Sequence, residues 1–476
     1  MRTSILEDLD VYPRTSRRPS TTPSTAKSQF SARNEDAGFT LIEVIVAMVV
    51  FAIIVTGFLY VMTSGLVQNR DTRARVVAAN LAAQQIDLAR AAESVLDVRN
   101  ETHTTTLNGD TFHVTTSWSW ATSTGGSATC EAGAATGALT YKRVTVEVTW
   151  DNMPAGARPV YSDTSFAPRS KLNDPERGTI LVGVVDSAGV GVSGVTVSLP
   201  SSSGVAAVTT DSDGCAYLLK VPPAEDYTVT ASKSGYISDQ QVTAPTAVVP
   251  VTAGTTSRAS FSLDKPTTFS LTYADNVAGA KSLPNNLTTT FISTYGNFQQ
   301  ATATTANPKS FTRFPIPSGY SIVAGAYAEA PENPTTSCLA PDPGQWLATA
   351  TLAGARPAPV AGLAGGSAPA TSVPMGVVQL AGANGTGTYL KAVYAGSVTG
   401  DATTGDPGCG TGMTYTFGSI VSSNAATIAL PYGTWQLYRG TSTSQTSAVT
   451  SGVTAVTAGS VAAGVIVLDP RTAVTP

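Results

Sequence analysis

A gap in charge organises the first hundred residues. No Lys, Arg, Asp or Glu occurs between Glu43 and Arg70, and the stretch from Val44 to Met62 is almost wholly apolar. As a helix rising ~1.5 Å per residue this stretch is roughly 28 Å long, enough to cross the hydrocarbon of a bilayer. Its one carboxylate, Glu43, stands at its start, where a charge is costly in lipid and marks function. Beyond Arg70-Asp71-Thr72-Arg73-Ala74-Arg75, the apolar residues Val77, Leu81, Leu88 and Ala92 recur at spacings near three, four and seven. That periodicity extends the helix to about residue 95. Alanines along it (Ala78, Ala79, Ala82, Ala83, Ala89, Ala91) allow a sheet or another helix to approach closely. A single helix from Phe39 to Ser94 would be on the order of 80 Å long; a break near Gly65 into two helices is the alternative.

The period then changes from helical to alternating. Thr104-Thr105-Thr106-Leu107 reaches Asn108-Gly109, and Thr111-Phe112-His113-Val114-Thr115-Thr116 returns, which predicts a hairpin. Trp118 and Trp120 continue the alternation, and Tyr141 to Trp150 forms a further strand with Val144, Val146 and Val148 on the face that suits packing against the helix. A polar, Pro-containing linker near Asn173-Asp174-Pro175-Glu176 ends this unit. From there to the end, short Val-, Thr- and Ala-rich strands alternate with Gly, Pro and Asp turns.

Thr288 to Tyr295 resembles Thr388 to Tyr394, and Phe314 to Ile322 resembles Ala429 to Leu437, in the same order about 100 residues apart. This predicts a duplicated β-module, 266–372 and 373–476, joined by a Pro/Ala/Gly-rich stretch from Gly354 to Pro374. One larger intertwined domain stays open.

Composition narrows the chemistry. Charged residues are 13% and the net charge is -4, which argues against a nucleic-acid surface. With two histidines, no Walker-type loop and no close carboxylate pair, no catalytic constellation, metal site or cofactor site is expected. His113 reads as a surface or strand-packing residue. Asp211-Ser212-Asp213-Gly214 starts like a calcium loop but lacks the later ligands, so it reads as a turn. The four cysteines, Cys130, Cys215, Cys338 and Cys409, form no CxxC pair. On an exported chain disulfides are expected, with three pairings open. Cys338 with Cys409 is favoured because both lie in Pro/Gly-rich stretches, and free thiols stay open. Trp118, Trp120, Trp346, Tyr432, Trp435 and Tyr438 are the aromatic residues to test for ligand contact; the same alternation also suits them to the core.

Gly38 followed by Phe39-Thr40-Leu41-Ile42-Glu43-Val44 resembles the class III signal of type IV prepilins and pseudopilins. The resemblance implies cleavage between Gly38 and Phe39 by a prepilin peptidase, N-methylation of Phe39, and an assembly role for Glu43. That role is attraction to the α-amino group of a neighbouring subunit, strengthened in the low dielectric of a filament core. Where many major pilins carry a kinking Pro this chain has Tyr60, and the run from Glu43 to Ala52 looks more like minor pilins and minor pseudopilins. The series from Ile180 to Tyr236, with Thr209-Thr210-Asp211-Ser212-Asp213-Gly214 and Gly235-Tyr236, is similar to carboxypeptidase regulatory-like, or prealbumin-like, β-sandwiches over about 178–264.

The expected fold class is therefore α+β. A long N-terminal transmembrane and stalk helix (39–95) opens an antiparallel β pilin head (39–165), after a cleaved leader (1–38), and all-β Ig-like or prealbumin-like modules follow. The implied function is a minor pilin, sparse in or at the tip of a pilus, that displays β-modules for adhesion to a surface or glycan. The alternatives are a pseudopilin of a secretion or DNA-uptake machine and an anchored surface protein that never polymerises. The implied partners are the peptidase, other pilin subunits and the cytoplasmic membrane, with the N-terminus inside.

Overall fold

The computed structural model describes residues 40–130, 137–168, 172, 174–330, 332–381, 388–420 and 425–474; the leader, Gly38, Phe39 and Asn173 lie outside the described residues. The fold is α+β, one long apolar helix followed by many short, mainly antiparallel sheets. Two compact units divide the chain, the first ending at Thr72 and the second beginning at Arg73.

Helix α1 runs unbroken from Leu41 to Ala91, straight through Gly65. Its hydroxyls do not interrupt it, because Thr63 and Thr72 donate back to the carbonyls of Leu59 and Gln68, each at 2.9 Å. It ends at Ala91 rather than near residue 95. The next residues form a separate 3-10 turn, Val95–Asp97, capped by Ser94, whose Oγ accepts from the Leu96 N–H at 3.2 Å.

Within the second unit, a five-stranded antiparallel sheet packs on the end of α1. Its strands are β1 (Glu101–Leu107), β2 (Asp110–Thr122), β3 (Ser127–Ala128), β4 (Leu139–Trp150) and β5 (Val160–Phe166), in the order β1-β2-β4-β5 with β3 on β2. Asn108 and Gly109 both take positive φ, 54° and 83°, as the two-residue turn that matches strand twist demands. Every second residue of β2 and β4 points at the helix, so Phe112, Val114, Val144, Val146 and Val148 meet Ala74, Ala78, Ala82 and Ile86 in one core. The alanines let the helix axis come close to the pleat.

Residues 178–264 form a sandwich of two four-stranded sheets. One has the order Thr246–Val251, Ala224–Ser232, Thr196–Ser198, Val208–Thr209; the other Ile237–Ser238, Thr256–Asp264, Gly178–Val185, Cys215–Val221. Gly178–Val185 and Thr256–Asp264 run parallel. Ile180, Val182, Val195, Leu218, Val229 and Leu263 fill the space between the sheets.

The same order of strand pairing occurs on both sides of residue 372. In the first half Thr267–Tyr273 pairs with Lys309–Arg313, and Thr288–Ser293 lies between Gly296–Ala301 and Ser321–Ala324. In the second half Gly376–Ala381 pairs with Ala425–Leu430, and Thr388–Tyr394 lies between Thr414–Ile420 and Gly433–Gly440.

Residues on the two sides of 372/373 share one core and several pairings. Phe269, Phe291 and Tyr320 of the first half share one core with Leu390, Ile428 and Trp435 of the second. Thr371–Val373 pairs with Thr267–Tyr273, Leu352–Ala353 pairs with Thr472–Ala473 at the far end, and a disulfide joins Cys338 to Cys409.

A shared core should respond as one. Ile428→Ala is expected to destabilise the body by about 2–5 kcal/mol. Hydrogen exchange should rise equally in Thr288–Ser293 and Thr388–Tyr394; a rise confined to the second half would show two independent cores.

Candidate functional site

Two places carry the chemistry of this chain: the start of α1, and the joint between the head sheet and the sandwich that follows it. At the first, the Thr40 carbonyl accepts from the N–H groups of Glu43 and Val44, at 3.0 and 3.2 Å, and so starts the helix. Glu43 lies in the first turn, where an acid complements the positive end of the helix. Every residue from Leu41 to Val67 is exposed, including Ile42, Phe51, Ile53, Phe58 and Leu66. The best 18-residue window has mean hydropathy 2.8 and no buried residue. Among the described residues Glu43 makes no ion pair. A helix of this composition, exposed along its length among the described residues, needs lipid or other helices around it.

The joint is built from residues that share no pattern in the sequence. Cys130, after β3, is bonded to Cys215, the first residue of a sandwich strand. Around the disulfide the two parts interlock. The Asp213 carboxylate accepts from the Trp118 indole N–H at 2.8 Å and from the Asn100 N–H at 2.9 Å. The Trp120 indole donates to the Tyr217 hydroxyl at 3.3 Å, and Arg258 donates to the Cys130 carbonyl at 2.9 Å. The backbones touch at Gly183, where a Cβ would lie 2.0 Å from the Cys130 carbonyl oxygen. Only glycine fits there.

Lys142 is sealed inside this joint, with no solvent exposure. It sits on β4 in phase with Val144 and Val146, so strand geometry sends its side chain inward. Its Nζ lies 3.7 Å from the centre of the Trp118 ring and donates to the Val98 carbonyl. Burial pushes its pKa down to about 7, against the pull of Asp211 and Asp213; Arg99 adds to the lowering and Asp97 opposes it. Burial also pushes the Asp211 carboxyl up. The 211–214 segment is the turn expected, since Asp211 Oδ1 accepts from the N–H groups of Asp213 and Cys215 at 3.0 and 2.9 Å. Its second acid does further work by holding Trp118.

The aromatic candidates are placed for packing. Trp118, Trp120, Trp346 and Trp435 are buried, and each indole N–H already has a partner; for Trp346 and Trp435 these are the carbonyls of Ala340 and Pro431, at 2.8 and 2.9 Å. That removes the tryptophans from surface contact, while Tyr432 and Tyr438 remain half-buried. His113 pairs with Asp151 at 3.0 Å on the exposed face of the head. Among the described residues no group of three or more His, Cys, Asp or Glu is arranged to hold a metal.

Lys142 predicts a pH effect of definite sign. Its folded pKa lies below the ordinary 10.5, so between about pH 7 and 10.5 the unfolded chain holds the extra proton. Stability contributed by this residue therefore rises with pH across that window. Lys142→Met should flatten the rise in urea midpoints measured between about pH 6.5 and 9.5; equal slopes in the two proteins would contradict the assignment.

Comparison with known proteins bears on both places. The prokaryotic N-terminal methylation motif matches residues 33–59, and the carboxypeptidase regulatory-like domain matches residues 179–264. No curated protein matches the chain. Among solved structures it is similar to the Bacillus anthracis TIE protein, at 12% identity over 76% of this chain and 73% of that one. It is also similar to a streptococcal ancillary pilin, at 11% identity over 49% of this chain and 74% of that one. Both likenesses have a TM-score of 0.19, which leaves the overall fold unmatched. The chain thus carries the N-terminal methylation motif, the type IV pilin signature, and downstream of it a carboxypeptidase regulatory-like domain.

Proposed function

We propose that this chain is a minor type IV pilin-type subunit, a non-enzymatic building block that enters a pilus sparsely or at its tip and displays β-modules for contact with a surface. The observation that supports this most is the uncharged helix from Val44 to Asn69, with a single acid before it, inside a matched methylation motif. In this reading a peptidase cuts between Gly38 and Phe39, Phe39 is methylated, and the helix waits in the cytoplasmic membrane with its N-terminus inside. It then moves into the filament core. There Glu43 pairs with the α-amino group of a neighbouring subunit, and low dielectric makes that pairing strong enough to set register.

Size supports the minor role. Roughly 300 residues follow the head, and a body of that size repeated at every position would crowd its neighbours along a shaft. A sparse or terminal position has no such conflict.

The joint decides how display is tested. Trp118, Lys142 and Cys130 are completed by residues 211–217, so a truncation that spares the head must begin after Asp264. Removal of 266–476 is expected to leave membrane insertion and polymerisation in place and to abolish attachment; persistent attachment would overturn the display role.

Glu43→Val tests assembly. Membrane insertion should be unchanged while the amount in sheared filaments falls by more than about tenfold, the least expected for loss of a buried ion pair. Incorporation at wild-type levels would refute a filament role for Glu43.

A further inference from the structure

The Pro/Ala/Gly-rich stretch from Gly354 to Pro374 passes beside the strand Thr267–Tyr273 and is bonded to it around Leu363. The Leu363 carbonyl accepts from the Thr267 hydroxyl at 2.7 Å and from the Gly366 N–H at 3.0 Å. The Gly365 N–H donates to the Lys265 carbonyl at 3.2 Å, the Thr268 N–H to the Gly366 carbonyl at 2.9 Å, and the Ala368 N–H to the Thr268 carbonyl at 2.9 Å. The Leu363 side chain is nevertheless 80% exposed, as bare as Leu41 at the start of α1. A loop held this firmly does not expose its leucine through slack. Nor does Leu363 stand alone: with Pro315, Pro317 and Pro369 it lines a groove of about 620 Å³ between the sandwich and the residues that follow it. A contiguous apolar surface on a fixed backbone is the kind that marks an interaction site.

The sandwich wall of this groove carries charge of one sign. Asp186 and Asp264 line it, and no Lys or Arg does. Asp264 is only 6% exposed. Its Oδ1 accepts from the Lys265 N–H at 2.7 Å, and its Oδ2 from the N–H and the hydroxyl of Ser187, at 3.1 and 2.7 Å. Asp186 Oδ1 accepts from the N–H groups of Ala188 and Val190, at 2.8 and 2.9 Å. These bonds fix where the carboxylates point without supplying a counter-charge. Among the described residues neither acid makes an ion pair, and Lys265, whose stem lies along Gly365 at the rim, pairs with neither. A carboxylate as buried as Asp264 is costly without an opposite charge, and a cation entering the groove relieves that cost.

We propose that this groove docks a segment of a partner protein in which a Lys or Arg stands beside aliphatic residues. A long basic side chain unites the two properties the groove asks for, an apolar stem to lie on Leu363 and the prolines and a cationic head for Asp186 and Asp264. The prolines offer no N–H, so an anion or a sugar finds few donors along that wall. The inference deepens the display reading, and rests on it for the place where the partner is met.

Peptide binding to the full-length chain in detergent tests it without a pilus. A library of random short peptides displayed on phage is selected on the chain, and the recovered peptides are measured by fluorescence anisotropy. They should carry Lys or Arg next to Leu, Ile, Val or Pro. Leu363→Ser should weaken them by at least about tenfold and Asp186→Asn by about fivefold. The Asp186→Asn loss should vanish when norleucine replaces the basic residue of the peptide. Leu363→Ser alters an exposed side chain and Asp186→Asn keeps the Oδ1 acceptor, so both proteins should melt like the parent chain. Recovered peptides that are acidic, or that bind both variants as tightly as the parent, would overturn the proposal. Attachment that persists without 266–476 while these peptide losses are observed would remove the display role and leave the groove's specificity standing.

Discussion

One constraint dominates the described residues: the first half of the long helix is exposed throughout. From Leu41 to Val67 the helix is apolar and bare, and burial of such surface is worth ~25 cal/mol per Å² wherever it is found. Lipid supplies that burial, and so do neighbouring helices of the same kind; water does not. The second half of the same helix has its partner in the chain, because alanines at 74, 78 and 82 let it lie closely on the head sheet. Glu43 is the one group for which lipid and a helical bundle differ strongly. A carboxylate gains little in a bilayer and much beside a fixed positive charge.

Behind the helix, the head is bonded to the sandwich at several points. Head and sandwich are tied by a disulfide, by a carboxylate shared between an indole and a backbone amide, and by the Arg258 hydrogen bond to the Cys130 carbonyl. The next junction is also bonded: Gln241 of the sandwich donates to the Tyr320 hydroxyl at 3.0 Å and accepts from the Phe314 N–H at 3.0 Å. Beyond it, the two halves of the last body share a core and a second disulfide. Successive modules are therefore coupled by side chains as well as by linkers.

Local patterns in the sequence carried much of this. The charge gap announced the helix, Asn108-Gly109 announced the hairpin, and the in-phase valines of β4 announced the face that meets the helix. The weak repeat at Thr288 and Thr388 falls on two strands that each lie between two neighbours. What stayed hidden depends on contacts between distant segments. Nothing near Cys130 or Cys215 marks them as partners, because pairing is set by how sandwich and head meet. Lys142 did leave a trace, since it shares the inward phase of Val144 and Val146, but a lysine in that phase reads as surface until its neighbours are known. Whether 266–476 is one body or two stayed open in the sequence, because a Pro/Ala/Gly-rich stretch resembles a linker whether or not the strands on either side share a core. The tryptophans were ambiguous for the same reason: alternation assigns a face, and only the second layer decides whether that face is wet.

The most direct measurement is the identity of the chain's first residue in material sheared from cells. Mass spectrometry of the N-terminal peptide should find N-methylated Phe39 in the filament fraction, with the leader through Gly38 absent. A chain that keeps its leader, or one confined to the membrane fraction while filaments are present, would contradict the account.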